Sequence, residues 1–154
     1  VKQIPQKRVL WAKRENNGNF LLGIGDHGST KIDHTVESEG IILAGGRFLG
    51  MGLRAGRKKI QEPLFDLPVF QPENRELWHA DDLFEPGGHA VNRAGLETDA
   101  MLRPLDADGR PAFEKLFAAG IILAHQDWTR MKCGSGLSVA TAFGAIKSFI
   151  GMQP

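Results

Sequence analysis

Three short alternating runs open the chain: Val9 and Trp11, then Phe20, Leu22 and Ile24, then Ile32 and Val36. Period-two alternation between turn residues predicts half-buried strands, here an antiparallel β-meander over residues 7–37. Its turns fall at Asn16-Asn17-Gly18-Asn19 and Gly25-Asp26-His27-Gly28, residue types that tolerate the positive φ of tight hairpins. The pattern then changes. Gly40-Ile41-Ile42-Leu43-Ala44-Gly45-Gly46 is a continuous apolar run ending in paired glycines, as expected of a parallel-sheet strand buried on both faces, and it opens a glycine loop within residues 40–53. Residues 54–104 are irregular, with prolines at 63, 68, 72 and 86, and read as a cap segment holding at most one short helix after Pro72. Residues 114–150 return to regular structure. Leu116-Phe117-Ala118-Ala119-Gly120 is a second buried strand, and Gly134-Ser135-Gly136 opens a helix through Ile150.

That helix places Val139, Phe143, Ile146 and Ile150 on one side, with Leu137, Ala140, Gly144 and Ala145 elsewhere, so it is expected to be buried nearly all round. A serine cap between glycines would leave the N–H groups of Gly136, Leu137 and Ser138 facing outward. Such an end attracts negative charge by ~0.3–1 kcal/mol, which suits the anionic edge of a reduced flavin, although a plain capped core helix has the same spelling.

Composition narrows the field without naming a chemistry. A chain of 154 residues with 42% apolar and 24% charged side chains is an ordinary folding polypeptide, with a core enclosing about 70% of its unfolded surface. The formal charge of +1 implies no global attraction to nucleic acid or anionic lipid. Arg54, Arg57, Lys58 and Lys59 lack interleaved aromatics and read as a solvated face or a subunit contact. The single cysteine, Cys133, forms no internal disulfide and no metal cluster, which points to the cytoplasm and to no metal. The stretch from Leu137 to Ile150 is too short and too polar at Ser138, Thr141 and Lys147 to cross a bilayer. Val1-Lys2-Gln3-Ile4-Pro5 reads as the start of a cut, with neither a signal core nor a transit bias.

Gly23-Ile24-Gly25-Asp26-His27-Gly28 spells the dinucleotide fingerprint GxGxxG after a strand-like segment. The fingerprint requires a helix packed on the sheet directly after its last glycine. Residues 29–38 are polar, β-branched and too few, so the six residues read as a hairpin turn.

Four segments carry a family resemblance. Residues 41–53, IILAGGRFLGMGL, resemble the strand and glycine segment that leads from the β-meander back to the flavin domain in glutathione-reductase-like flavoproteins. Glu62-Pro63-Leu64-Phe65-Asp66-Leu67-Pro68-Val69, the stretch from Ala94 to Pro104, and Leu116 to Gly120 followed by Cys133 to Gly136 are similar to the B subunit family of anaerobic glycerol-3-phosphate dehydrogenase. The resemblance implies an α/β fold, the C-terminal part of an FAD/NAD(P)-binding flavoprotein, without the N-terminal nucleotide-binding βαβ unit. It implies FAD as cofactor, touched by Gly45, Gly46, Gly120, Gly134, Ser135, Gly136 and Leu137. It further implies oxidation of sn-glycerol 3-phosphate to dihydroxyacetone phosphate, with electrons passed to quinone through A- and C-type subunits, and membrane contact only through such a partner. A flavin dehydrogenase of another hydroxy acid or dicarboxylate, and a noncatalytic docking or scaffold module, are the other readings. This sequence departs from the pattern at Ile121, where many flavoproteins place aspartate, and at Ala124-His125-Gln126 and Lys132, where the family has glycines. Asp127 is retained.

Hydride removal from an alcohol needs a base for the hydroxyl proton, and histidine suits that task. His125, between the second buried strand and the helix, is the first candidate and His89 the second. Either one also fits a structural hydrogen-bonding role. Arg103 and Arg130 are candidates for a substrate phosphate, with the pinning of a turn as the alternative. Cys133 is read as a packing residue beside the flavin, since no resolving cysteine exists.

Overall fold

The computed structural model describes residues 3–152. Two compact units divide the chain, one ending at Ile41 and the other beginning at Ile42.

The first unit is a three-stranded antiparallel sheet in the order β1 (Lys7–Arg14), β2 (Phe20–Asp26), β3 (His34–Ser38). The β1–β2 turn closes through Glu15 N–H to Asn19 O at 2.8 Å, with Gly18 at φ 86° and the Asn17 side chain accepting from Asn19 N–H. A register shift between Val9 and Trp11 swings the Trp11 indole over Gly23. A Cβ at Gly23 would lie 2.3 Å from that ring, so glycine makes this cross-strand contact possible. Gly23 and Gly25 therefore lie inside β2, and the chain runs on into β3 with no helix after Gly28. The GxGxxG spelling is a strand and a hairpin.

The second unit is built around β4 (Ile41–Leu43), whose first residue is the last of the first unit, paired with β7 (Leu116–Ala118). All three β7 side chains are buried, as are Leu43, Leu53, Leu96 and Ile122. Each large side chain removed from water in this way stabilises the fold by ~1.5–3 kcal/mol. Between the two strands the chain forms a small hairpin of β5 (Arg54–Ala55) and β6 (Ile60–Gln61) and two single 3-10 turns, Arg75–Leu77 and Ala90–Arg93. The short helix expected after Pro72 is thus the one turn at Arg75. Glu62 is 2% exposed and organises the residues directly after it, accepting N–H bonds from Leu64 at 2.9 Å and Phe65 at 2.7 Å. One buried carboxylate so folds the segment beginning Glu62-Pro63-Leu64-Phe65 into a closed turn.

After β7 come a 3-10 turn at Gly120–Ile122, the one-turn helix α1 (Trp128–Met131) and the long helix α2 (Gly134–Gly151). The expectation that α2 is buried nearly all round is overturned. Ala145 is its one fully buried residue, while Val139 and Phe143 are 71% and 69% exposed, and Ile146 and Ile150 face outward with them. The reason lies in side-chain size. The inner face is made by Ser138, Thr141, Ala142 and Ala145, which allow close approach to the turn after β7, and Phe149 packs edge-on to Phe117 at 6.2 Å. The large residues of the opposite stripe have no second layer over them in this unit. No helix among the described residues is long and apolar enough to cross a membrane.

Candidate flavin site

A cleft of about 420 Å³ lies where three pieces of backbone meet: Ala44, Gly45, Gly46 and Gly50 after β4, Ala119, Gly120 and Ile121 after β7, and Ser138 and Ala142 of α2. Small residues produce it. Gly50 is held so tightly that a Cβ there would fall 1.8 Å from the Gly45 carbonyl oxygen, and Gly120 sits at φ 78°. A side chain at Gly120 would also come within 3.3 Å of Ser138 Oγ. Thr141 fixes the third wall, its hydroxyl accepting from Gly120 N–H at 2.8 Å while donating to Leu137 O at 2.6 Å. The result is a floor of bare backbone with mainly apolar walls, which fits the flat ring system of a flavin.

The sequence-derived cofactor residues divide into two groups. Gly45, Gly46 and Gly120 line the cleft. Gly134, Ser135, Gly136 and Leu137 form the first turn of α2, and the helix wall of the cleft is made instead by Ser138 and Ala142. The expected serine cap is also corrected. α2 begins earlier, with Cys133 as its N-cap residue and no side-chain cap, so Ser135 is already helical. Leu137 N–H is consumed by Cys133 O at 2.8 Å, which leaves the outward-facing N–H groups on Gly134, Ser135 and Gly136. Lys132, in the left-handed region at φ 51°, ends α1 and sets this earlier start. Cys133 is half-buried and carries a free thiol.

A second cavity of about 170 Å³ shares Gly50 and Ile121 with the cleft and is lined also by Arg47, Phe48, Asn92 and Trp128. His125 lines neither cavity. It has φ 64°, its Nε2 lies 2.9 Å from Glu97 Oε1, and its ring rests against Phe70 at 4.1 Å between centroids. Glu97 therefore orients the imidazole, a partner the linear sequence hides because 28 residues separate the two. His89 is occupied structurally, with Nδ1 accepting from Ala80 N–H at 3.1 Å and Nε2 3.2 Å from Leu83 O.

The arginines are also engaged. Arg103 pairs with Asp99 through Nε at 2.8 Å and Nη2 at 2.7 Å, and Arg130 Nη1 donates to Gly87 O at 2.9 Å. Burial alone would raise the Asp99 carboxyl. The backbone N–H of Arg103, its guanidinium and Met101 N–H outweigh that and hold the carboxyl below its usual value. Asp127 caps α1, is almost fully buried, and accepts from Arg130 N–H. Arg54, Arg57, Lys58 and Lys59 are exposed. Among the described residues no group of three or more His, Cys, Asp or Glu side chains is placed to hold a metal ion.

The FAD binding domain family model matches residues 22–137, well over half of the chain. The chain is 38% identical over 104 residues to a probable B subunit of anaerobic glycerol-3-phosphate dehydrogenase from Halobacterium salinarum strain R1, covering 68% of this chain and 24% of that protein. It is 32% identical over 121 residues to the anaerobic glycerol-3-phosphate dehydrogenase B subunit of Vibrio vulnificus strain CMCP6, covering 79% of this chain and 27% of the relative. With the B subunit of the Yersinia pestis strain Antiqua enzyme it shares 34% identity over 139 residues, 90% of this chain and 31% of the relative. The chain thus spans about a quarter to a third of the length of the curated relatives it matches. No solved structure gives a significant match. The mixed sheet and helix content fits an α/β flavoprotein fold. On the family match and the sequence similarity together, the chain belongs to the FAD binding domain family, with FAD as its cofactor.

Proposed function

We propose that this chain is the C-terminal portion of a flavin-dependent dehydrogenase subunit that oxidises sn-glycerol 3-phosphate to dihydroxyacetone phosphate. The observation that carries the reading is the glycine cleft formed by Gly45, Gly46, Gly120 and Ser138 in a chain similar to glycerol-3-phosphate dehydrogenase B subunits. When bound, FAD supplies the acceptor for the hydride that leaves the alcohol carbon. The chain's residues supply the remainder. The first turn of α2 directs the N–H groups of Gly134, Ser135 and Gly136 outward, where they stabilise negative charge. His125, held through Nε2 at 2.9 Å from Glu97 Oε1 and outside the lining of both cavities, is assigned the hydroxyl proton of a substrate that reaches beyond the cleft to its imidazole. Arg103 and Arg130 are assigned to the substrate phosphate, using the guanidinium N–H groups left over from Asp99 and from Gly87 O. In this reading the protein works in the cytoplasm with A- and C-type partner subunits, and reaches the membrane and its quinone only through them.

One observation favours a second reading. The exposed Val139, Phe143, Ile146 and Ile150 stripe on α2 fits a docking or scaffold module of a dehydrogenase complex. The full-length protein assembled with its partner subunits separates the two. Reduction of an artificial electron acceptor is measured with sn-glycerol 3-phosphate, glycerol, lactate, malate and succinate. The proposal expects turnover with glycerol 3-phosphate and poor turnover with unphosphorylated glycerol. Turnover with succinate or lactate alone overturns the named substrate, and a protein that carries no flavin supports the scaffold.

A further inference from the structure

Arg47 directly follows the glycine pair of the cleft, yet it is a charged residue only 6% exposed. Its two terminal nitrogens are used on backbone carbonyls, while Nε is buried without a hydrogen-bond partner. Nη1 donates to Asn92 O, and Nη2 donates to Leu123 O at 3.0 Å and to Gln126 O at 2.7 Å. Asp127 adds a favourable field, which opposes the effect of burial on the guanidinium. A buried cation held in this way costs desolvation that an apolar residue would avoid, so its presence calls for a reason beyond packing.

The three acceptors define that reason. Leu123 and Gln126 flank Ala124 and His125, and His125 is a non-glycine residue held in the left-handed region at φ 64°. Asn92 belongs to the turn whose Arg93 carbonyl accepts His125 N–H at 2.8 Å. The guanidinium and that N–H bond therefore secure the backbone on both sides of the imidazole. Arg47 itself lies in the loop that supplies Gly45, Gly46 and Gly50 to the cleft, and it lines the adjoining cavity. One rigid planar group thus joins the floor of the flavin cleft to the loop bearing His125. A lysine ammonium, a point charge on a flexible stem, lacks the fork that spans three diverging carbonyls.

We propose that Arg47 is a positioning residue that couples the glycine loop of the flavin cleft to residues 123–127, so that ordering the first by FAD orders the second. The inference rests on the flavin-site reading above, and its first readout needs no turnover. In the full-length protein, amide hydrogen exchange over residues 123–127 is followed with and without FAD for wild type, Arg47→Lys and Arg47→Met. The amides of Leu123, Ala124 and His125 are bonded to Gly120 O, Leu96 O and Arg93 O, so local opening is directly visible.

FAD is expected to slow exchange there by about fivefold or more in wild type and by less than about twofold in both variants. With sn-glycerol 3-phosphate, Arg47→Lys is expected to lower kcat by about tenfold while KM changes less than about threefold, because geometry is lost without loss of substrate contacts. FAD-dependent protection that persists unchanged in the variants overturns the coupling. Loss of protection with unchanged kcat overturns the positioning role. If wild type is inert with glycerol 3-phosphate, the substrate assignment fails while the exchange data still decide the coupling. Arg47→Lys keeps the charge and so remains interpretable if Arg47→Met does not fold.

Discussion

Replacing Glu62 by alanine should destabilise the second unit more than a surface substitution does, because the carboxylate is the acceptor for a whole turn. It receives Leu64 N–H at 2.9 Å, Phe65 N–H at 2.7 Å and, more weakly, Leu67 N–H at 3.5 Å, at 2% exposure. Hydrogen bonds to a charged acceptor contribute ~1.5–3 kcal/mol each, and orphaning a buried donor costs ~1–3 kcal/mol. Water entering the vacated space recovers part of this, so two strong bonds lost should cost about 2–4 kcal/mol. For a chain of this size that corresponds to a fall in Tm of roughly 5–15 °C. Glu62→Gln keeps one acceptor oxygen but turns an NH2 towards a donor, and should cost roughly half as much. Thermal unfolding of the three proteins at neutral pH measures the series. A drop below about 2 °C for Glu62→Ala, or a glutamine variant less stable than the alanine one, would refute the carboxylate as the organiser of this turn.

Further outcomes rest on single contacts. Gly23→Ala should destabilise the meander by ~1–3 kcal/mol, read by urea unfolding, because its Cβ would stand 2.3 Å from the Trp11 ring. Asp99 is held below its usual carboxylate value despite burial, so its contribution is present above the unfolded pKa and is lost as pH falls through the folded one. Urea midpoints should therefore show wild type more stable than Asp99→Asn at neutral pH, with the gap closing in acid below the ordinary aspartate value of 3.8. A Cβ added at Gly136 meets no atom within 4 Å, so Gly136→Val should fold and lower the flavin content by crowding the cofactor at this helix end. Its flavin-to-protein ratio tests that crowding.

Local physics was readable in the sequence and long-range physics was not. The alternation at Phe20, Leu22 and Ile24 and the apolar runs at 41–43 and 116–118 coincide with strands, but the expected burial on both faces holds for 116–118 alone, since Ile42 is 37% exposed and Leu43 is the one buried residue of β4. The start of α2 was not readable. Gly134, Ser135 and Gly136 admit several cap positions, and the left-handed Lys132 that decides between them is not a residue type that announces such a conformation. Apolar residues on two sides of α2 could not reveal that the large ones would face outward. Ser138 and Ala142 had a usable signal, an i, i+4 pair of small residues beside the Val139 and Phe143 stripe. Arg47 had none, since its carbonyl partners lie 45, 76 and 79 residues away.

In the proposed site the flavin ring lies against the backbone floor of Gly45, Gly46 and Gly120, with Ser138 and Ala142 as one wall. Ala142→Trp tests this most directly, because it fills the cleft from a half-buried helix position and leaves the glycines and the bond from Gly120 N–H to Thr141 untouched. The measurement is the flavin-to-protein ratio of the full-length protein, alongside its Tm. The variant is expected to unfold cooperatively and to retain less than about one tenth of the wild-type flavin, a loss of at least ~1.4 kcal/mol in binding. A folded Ala142→Trp protein with the full wild-type flavin complement would contradict that placement.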